Sequence, residues 1–238
     1  STGAWVRTGQ TAQTFGLAGD IPLNGDIDGD GRSDAVVYRP DAGVWFVNVS
    51  GWWPFQLVAP VAGDVPLLAD FVGDGRAHPA IFRPSTGQWF TGSPVAAVTP
   101  PQAGDIPVVP DVDGDGIADP GVFRPSTGQW FIQGAPTVSV GQAGDVPVVA
   151  DLDGDLRSDL AVFRPSTGQW LSRSPGFASV SWGLAGDIPL AVDQTGSGRA
   201  AVAVYRPSTG QLFVRGGSIT PIGQQGDIPI PRASAIAP

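Results

Sequence analysis

Short apolar runs, each broken by glycine, proline or aspartate, recur along the whole chain. In the first segment Ile21-Pro22-Leu23, Ala35-Val36-Val37-Tyr38 and Val44-Trp45-Phe46-Val47 follow one another, and comparable runs follow in each later segment. The runs are too short for amphipathic helices and are rich in Val, Ile, Phe and Trp, so they read as strands separated by turns. A fourth, weaker apolar stretch closes each segment, which makes the unit four short strands.

The segments are copies of one repeat. Gly-Asp followed by Ile/Val-Pro recurs with its aspartate at Asp20, Asp64, Asp105, Asp145, Asp187 and Asp227. After the first five comes an aspartate-rich loop, then an apolar run that ends in Arg-Pro at Arg39, Arg83, Arg124, Arg164 and Arg206. Next are a Gly-containing turn and an aromatic strand such as Gln129-Trp130-Phe131-Ile132. A period of about forty residues built from four strands describes one β-propeller blade. Repeats begin near 19, 63, 104, 144, 186 and 226, and residues 1–18 supply the rest of the sixth. Ala237-Pro238 joined to Ser1-Thr2-Gly3 reproduces the Arg-Pro-Ser-Thr-Gly junction, with Ala237 in place of arginine. The expectation is therefore an all-β, six-bladed propeller of four-stranded blades. It forms a single domain over 1–238, its last blade closed by both chain ends.

Composition sharpens this picture. All 22 acidic residues are aspartate and all 13 basic residues are arginine; Cys and Met are absent and His78 is the one histidine. Gly (34) and Pro (24) make up close to a quarter of the chain, as many turns require. The absence of cysteine excludes disulfides. A net charge of −9 without a basic cluster disfavours nucleic acid and anionic membranes as partners. No apolar run is long enough to span a bilayer, so no membrane insertion is expected. No signal segment stands at the N-terminus, which implies that any such peptide has been removed.

The aspartates cluster where a cation would be needed. Loop one runs Asp26, Asp28, Asp30, Arg32, Asp34 at alternate positions; loop three runs Asp111, Asp113, Asp115, Ile117, Asp119; loop four runs Asp151, Asp153, Asp155, Arg157, Asp159. Four carboxylates within nine residues repel one another unless a cation lies among them. Hard oxygen donors in a glycine-containing loop select Ca²⁺, with the seventh position (Arg32, Ile117, Arg157) offering its carbonyl. Three calcium sites are expected. Loop two keeps Asp70 and Asp74 but has Val72 and His78 at the third and ninth positions; loop five keeps Asp193 alone. Both are expected to be weak or empty. Leu156 stands where the other full loops have their second glycine and would cost about 1 kcal/mol if that position is left-handed.

The motif DxDxDGxxD inside a four-stranded repeat resembles the FG-GAP/VCBS family of calcium-loop propellers, related to the integrin α head and to some lectins. Phe15-Gly16 supplies a Phe-Gly of that kind. The resemblance covers the whole chain, although such propellers usually have seven blades. It implies a secreted, extracellular adhesion or ligand-recognition module.

The remaining residues are then sorted. Fifteen aspartates lie in the loops, six follow the repeat glycine, and Asp41 sits in a turn, so no carboxylate stands apart as a general acid. The expectation is a protein that is not an enzyme, with a polysaccharide-active enzyme as the last-ranked alternative. The equally spaced Gly-Asp aspartates and Arg-Pro arginines suggest structural ion pairs. Trp5, Trp45, Trp89, Trp130 and Trp170 recur at one strand position and are expected to pack between blades. Candidate ligand contacts are the aromatics that break the repeat: Trp52, Trp53 and Phe55, and more weakly Trp182. The expected partner is a glycan or protein ligand, or, if the chain is a scaffold, further copies of itself.

Overall fold

The computed structural model describes residues 4–5, 13–49, 54–91, 102–225, 227 and 229. A short ladder of β1 (Ala4–Trp5) and β2 (Gln13–Thr14) comes first. Blade one is β3 (Ile21–Gly25), β4 (Asp34–Arg39), β5 (Val44–Val47) and β6 (Phe55–Gln56). Blade two contributes β7 (Val65–Ala69), β8 (His78–Arg83) and β9 (Gln88–Phe90). Blade three is β10 (Ile106–Val108), β11 (Gly121–Arg124), β12 (Gln129–Ile132) and β13 (Val138–Ser139). Blade four is β14 (Val146–Ala150), β15 (Asp159–Arg164), β16 (Gln169–Ser172) and β17 (Val180–Ser181). Blade five is β18 (Ile188–Val192), β19 (Ala201–Arg206), β20 (Gln211–Val214) and β21 (Ile219–Pro221). Each blade is an antiparallel meander in chain order.

The fold is an all-β propeller, but the expected six blades are corrected to five among the described residues. The β1–β2 pair repeats the outer register of a blade, Trp5 facing Gln13 as Trp130 faces Val138. A blade, however, is held by its inner strands, and among the described residues none joins this ladder. The repeat count registered a sequence pattern; a blade also requires its inner strands to join one hydrogen-bonded sheet.

Burial follows the position of each strand in its blade. The second strand is covered on both faces: Val36, Val37 and Tyr38 in β4 are buried, as is every residue of β11. The outermost strands are half-exposed. Between consecutive blades lie shared apolar clusters. Leu68 and Ile81 of blade two pack with Val36 and Trp45 of blade one, and Val202 and Val204 of blade five with Phe163 and Trp170 of blade four. The recurrent tryptophans are the centre of these seams. Trp45, Trp130 and Trp170 are fully buried, and each leans against the aromatic of the second strand at 4.8–5.3 Å. Leu212 takes the same place in blade five.

The turn between second and third strands closes in the same way in every blade. Gly128 N–H donates to the Arg124 carbonyl at 2.9 Å with φ of 66°. A Cβ there would run into the Gly141 carbonyl, so both conformation and space demand glycine.

Candidate metal centres and the ion-paired frame

The aspartates that open the repeats and the arginines that end the second strands meet within each blade. Arg39–Asp20, Arg83–Asp64, Arg124–Asp105, Arg164–Asp145 and Arg206–Asp187 are all two-pronged, with contacts of 2.8–2.9 Å. The expected ion pairs thus tie the first strand to the second, always across nineteen residues. Each aspartate also accepts the backbone N–H three residues before it, as Asp105 does from Gln102. Four of the guanidinium groups lie over a phenylalanine of the third strand at 4.3–4.7 Å. Blade four has Leu171 in that place. The aspartates are almost wholly shielded and the arginines more exposed, Arg124 least.

The aspartate-rich loops join the first and second strands of their blades. Their first aspartate is the scaffold: Asp26 accepts the N–H groups of Gly29, Asp30 and Gly31 at 2.7–3.1 Å. Asp70 does the same with Val72, Gly73 and Gly75, and Asp193 with Thr195, Gly196 and Gly198. The sequence-degenerate loops therefore keep the full backbone fold. At Asp193 burial would raise the carboxyl, but the N–H groups of Thr195 and Gly198 and the Thr195 hydroxyl outweigh it and hold the pKa at about 2.

In the three complete loops the ninth position closes the ring. Asp34, Asp119 and Asp159 accept the N–H of Ile27, Val112 and Leu152 at 2.8–2.9 Å. Burial, reinforced by the neighbouring carboxylates, pushes all three above the ordinary range. This is the electrostatic conflict that a bound cation relieves. Oxygen atoms of Asp26, Asp28 and Asp34 all lie within 4.8 Å of one another, as do those of Asp111, Asp113 and Asp115, and of Asp151, Asp153 and Asp159. Each loop thus gathers three of its four carboxylates, with Asp30, Asp119 and Asp155 outside the triplet. Asp30 and Asp155 instead accept the N–H of Arg32 and Arg157 at 2.8–2.9 Å. The donor sets fit a hard dication.

Two features were not legible in the loop motif. Ser174, from the turn before β17, donates its hydroxyl to Asp153 in loop four, and the Gly176 N–H adds a longer contact. The loops are also linked to one another. The eighth residue of each donates its N–H to the carbonyl of the first aspartate in the preceding loop: Ala77 to Asp26, Ala118 to Asp70, Ser158 to Asp111 and Ala200 to Asp151, at 2.6–2.7 Å. The seventh side chains, Arg76, Ile117, Arg157 and Arg199, lie over a glycine of that preceding loop. Only tertiary contact reveals this, because the partners are more than forty residues apart.

Leu156 has a φ of 67°, the one non-glycine left-handed residue among those described, and its side chain is exposed. Replacing Leu156 by Gly removes that strain without uncovering any core. A gain of about 0.5–1 kcal/mol is expected, read as a higher denaturation midpoint at an unchanged slope.

Of the candidate ligand contacts, Trp52 and Trp53 lie outside the described residues. Phe55 is half-buried and stacks parallel to Trp45, with ring centres 6.4 Å apart. The Trp182 indole donates to the Phe213 carbonyl in the next blade, while its own carbonyl accepts the Trp170 indole N–H. Both residues serve as packing. A cleft of about 260 Å³ lies instead where the approach to blade one meets its second and third strands. Phe15, Gly16, Leu17, Val37, Arg39 and Phe46 line it, and Leu17 stands exposed at its edge.

No family model matches the chain, and no curated protein matches it. Several solved structures share its fold. An Agrocybe aegerita lectin specific for non-reducing terminal N-acetylglucosamine is 21% identical with a TM-score of 0.52, over 82% of this chain and 62% of the lectin. The chain therefore spans less than two thirds of that protein. A streptogramin B lyase is 10% identical with a TM-score of 0.56, covering 87% of this chain and 70% of the lyase. Virginiamycin B lyase from Staphylococcus aureus is 8% identical with a TM-score of 0.52, covering 84% and 72%. These likenesses establish the propeller fold. They also overturn the expectation that the chain is not an enzyme, because this fold carries lyases. Sorting aspartates by repeat position does not decide catalysis, since chemistry resides in side chains placed on a fold.

Proposed function

We propose that the chain is a calcium-stabilised, extracellular ligand-recognition propeller of the FG-GAP/VCBS type. The observation that carries this reading is a carboxylate triplet in each of three equivalent loops, beside the closing aspartates Asp34, Asp119 and Asp159 that burial and neighbouring carboxylates push up. All-oxygen donors in flexible loops favour Ca²⁺ over softer ions, and millimolar calcium outside cells fills even weak loops of this kind.

The cleft beside Arg39 supports recognition of a small ligand, with Phe15 and Phe46 as apolar walls and a guanidinium as the polar group. A glycan is the favoured class, in keeping with the sugar-binding neighbour. Calcium acts here as structure, fixing the loops that frame the blades.

The test has two arms. Calcium binds the folded loops and hardly the unfolded chain, so chelation with EDTA should lower Tm by several degrees, and added calcium should restore it. An unchanged Tm rejects the calcium assignment. A glycan array probed with and without calcium then tests recognition, and Phe46→Ala should abolish any signal that depends on the cleft.

A further inference from the structure

We propose that loop two is a separate site for a divalent transition ion of the zinc class, held by Asp70, Asp74 and His78. This goes beyond the calcium reading, which concerns loops one, three and four.

The donor set differs from the other loops in kind. The ninth position, an aspartate in the complete loops, is the chain's one imidazole, and the third position has lost its carboxylate to Val72. Two carboxylates and an imidazole are too few and too soft for the six to eight oxygens that Ca²⁺ takes. They match an ion that accepts three protein ligands and completes its shell with water.

The geometry agrees. One ligand atom from each of Asp70, Asp74 and His78 lies within 4.8 Å of the other two. Nε2 of His78 and Oδ1 of Asp74 are 2.9 Å apart. Ligands about 2.0–2.1 Å from a tetrahedral ion stand about 3.3 Å from each other, so the two groups need only part slightly to admit one. The His78 side chain is 34% exposed and that of Asp74 46%, leaving room for entry and for water.

Two of the three donors are already held in place. Asp70 is pinned by three backbone N–H groups, and its carbonyl by the Ala118 N–H of loop three. His78 begins β8 opposite Ala69, in a ladder that continues to Phe82. The loop fold does not require the imidazole or the Asp74 carboxylate. Loop five adopts the same backbone contacts with Ser197 and Ala201 in those places. What Asp74 and His78 add to loop two is a bonded side-chain pair, Oδ1 to Nε2 at 2.9 Å, whose two donor atoms a shared ion would bridge.

The experiment uses the whole chain without any added histidines. Calorimetric titration with zinc chloride in millimolar calcium should show one equivalent bound and not displaced by further calcium. Cobalt(II) should give visible d–d absorption and should broaden the imidazole proton resonances, which belong to His78 alone. His78→Gln should weaken zinc binding at least about tenfold, equal to about 1.4 kcal/mol, while the calcium-dependent Tm shift stays as in the parent. Asp74→Asn, which leaves the strand ladder untouched, should weaken it likewise and guards against misfolding of the first variant. Unchanged zinc affinity in both variants, sharp imidazole signals in cobalt, or displacement by calcium would overturn the proposal. The imidazole signal reads this loop only, so a failure of calcium binding in the other loops is distinguishable from a failure of zinc binding here.

Discussion

Replacing Arg124 by Ala should destabilise the protein by about 3–5 kcal/mol, as measured by equilibrium denaturation. Of the five repeated ion pairs, Arg124–Asp105 is the most shielded: the arginine side chain is 8% exposed and the aspartate 1%. Truncation leaves the Asp105 carboxylate in place with its Gln102 N–H partner but without its counter-ion, and it also removes the guanidinium from the Phe131 ring. The penalty is mostly that of an unpaired buried charge, so adding Asp105→Asn to Arg124→Ala should recover part of the loss. Arg39, at 29% exposure, should show a smaller effect. A loss below about 1 kcal/mol for Arg124→Ala would mean that the pair contributes little beyond the strands it joins.

The same pairs set an acid limit. At Asp64 and Asp105 burial works upward, but the hydrogen bonds from Arg83 and Arg124 prevail and hold the carboxyls below the ordinary range; at Asp20 the bond from Arg39 leads. A carboxyl lowered in the folded state contributes stability above its unfolded pKa of about 3.9 and loses it as pH falls through the lower folded value. Stability from these pairs should therefore persist down to about pH 4 and decline below it. In Arg124→Ala, the acid unfolding midpoint should move upward.

Trp130→Ala should cost a comparable amount, about 3–5 kcal/mol. The side chain has no exposed surface, packs at 4.8 Å from Phe123 and donates its indole N–H to the Val140 carbonyl. Removing it opens a cavity in the seam where Val162 of blade four meets blade three, and takes the indole donor from that carbonyl. Trp130→Phe fills more of the space and should cost clearly less. If both variants unfold alike, the loss is due to the missing hydrogen bond rather than to the cavity. Blade two offers a contrast: the Trp89 indole N–H has no partner among the described residues, so Trp89→Phe should cost less still.

The amino-acid pattern alone carried the repeat, the strand order within each blade, the buried tryptophans and the Asp–Arg pairing. All are local, or separated by a constant nineteen residues, so periodicity exposes them. It also placed the aspartate loops and the left-handed strain at Leu156, because turn chemistry is written in consecutive residues. Other properties depend on which chain segments meet in space. Among the described residues five blades stand where six repeats were counted, since a repeat becomes a blade only when its inner strands join one sheet. Phe55 and Trp182 broke the sequence pattern yet pack inside it, their fate set by the neighbouring strand and blade. The hydrogen bonds that chain each loop to the one before it, and the Ser174 hydroxyl on Asp153, join residues that no local pattern brings together. Local propensity follows from the order of residues, whereas a ligand shell or a seam is a fact of distance, and distance is set only when the sheets pack.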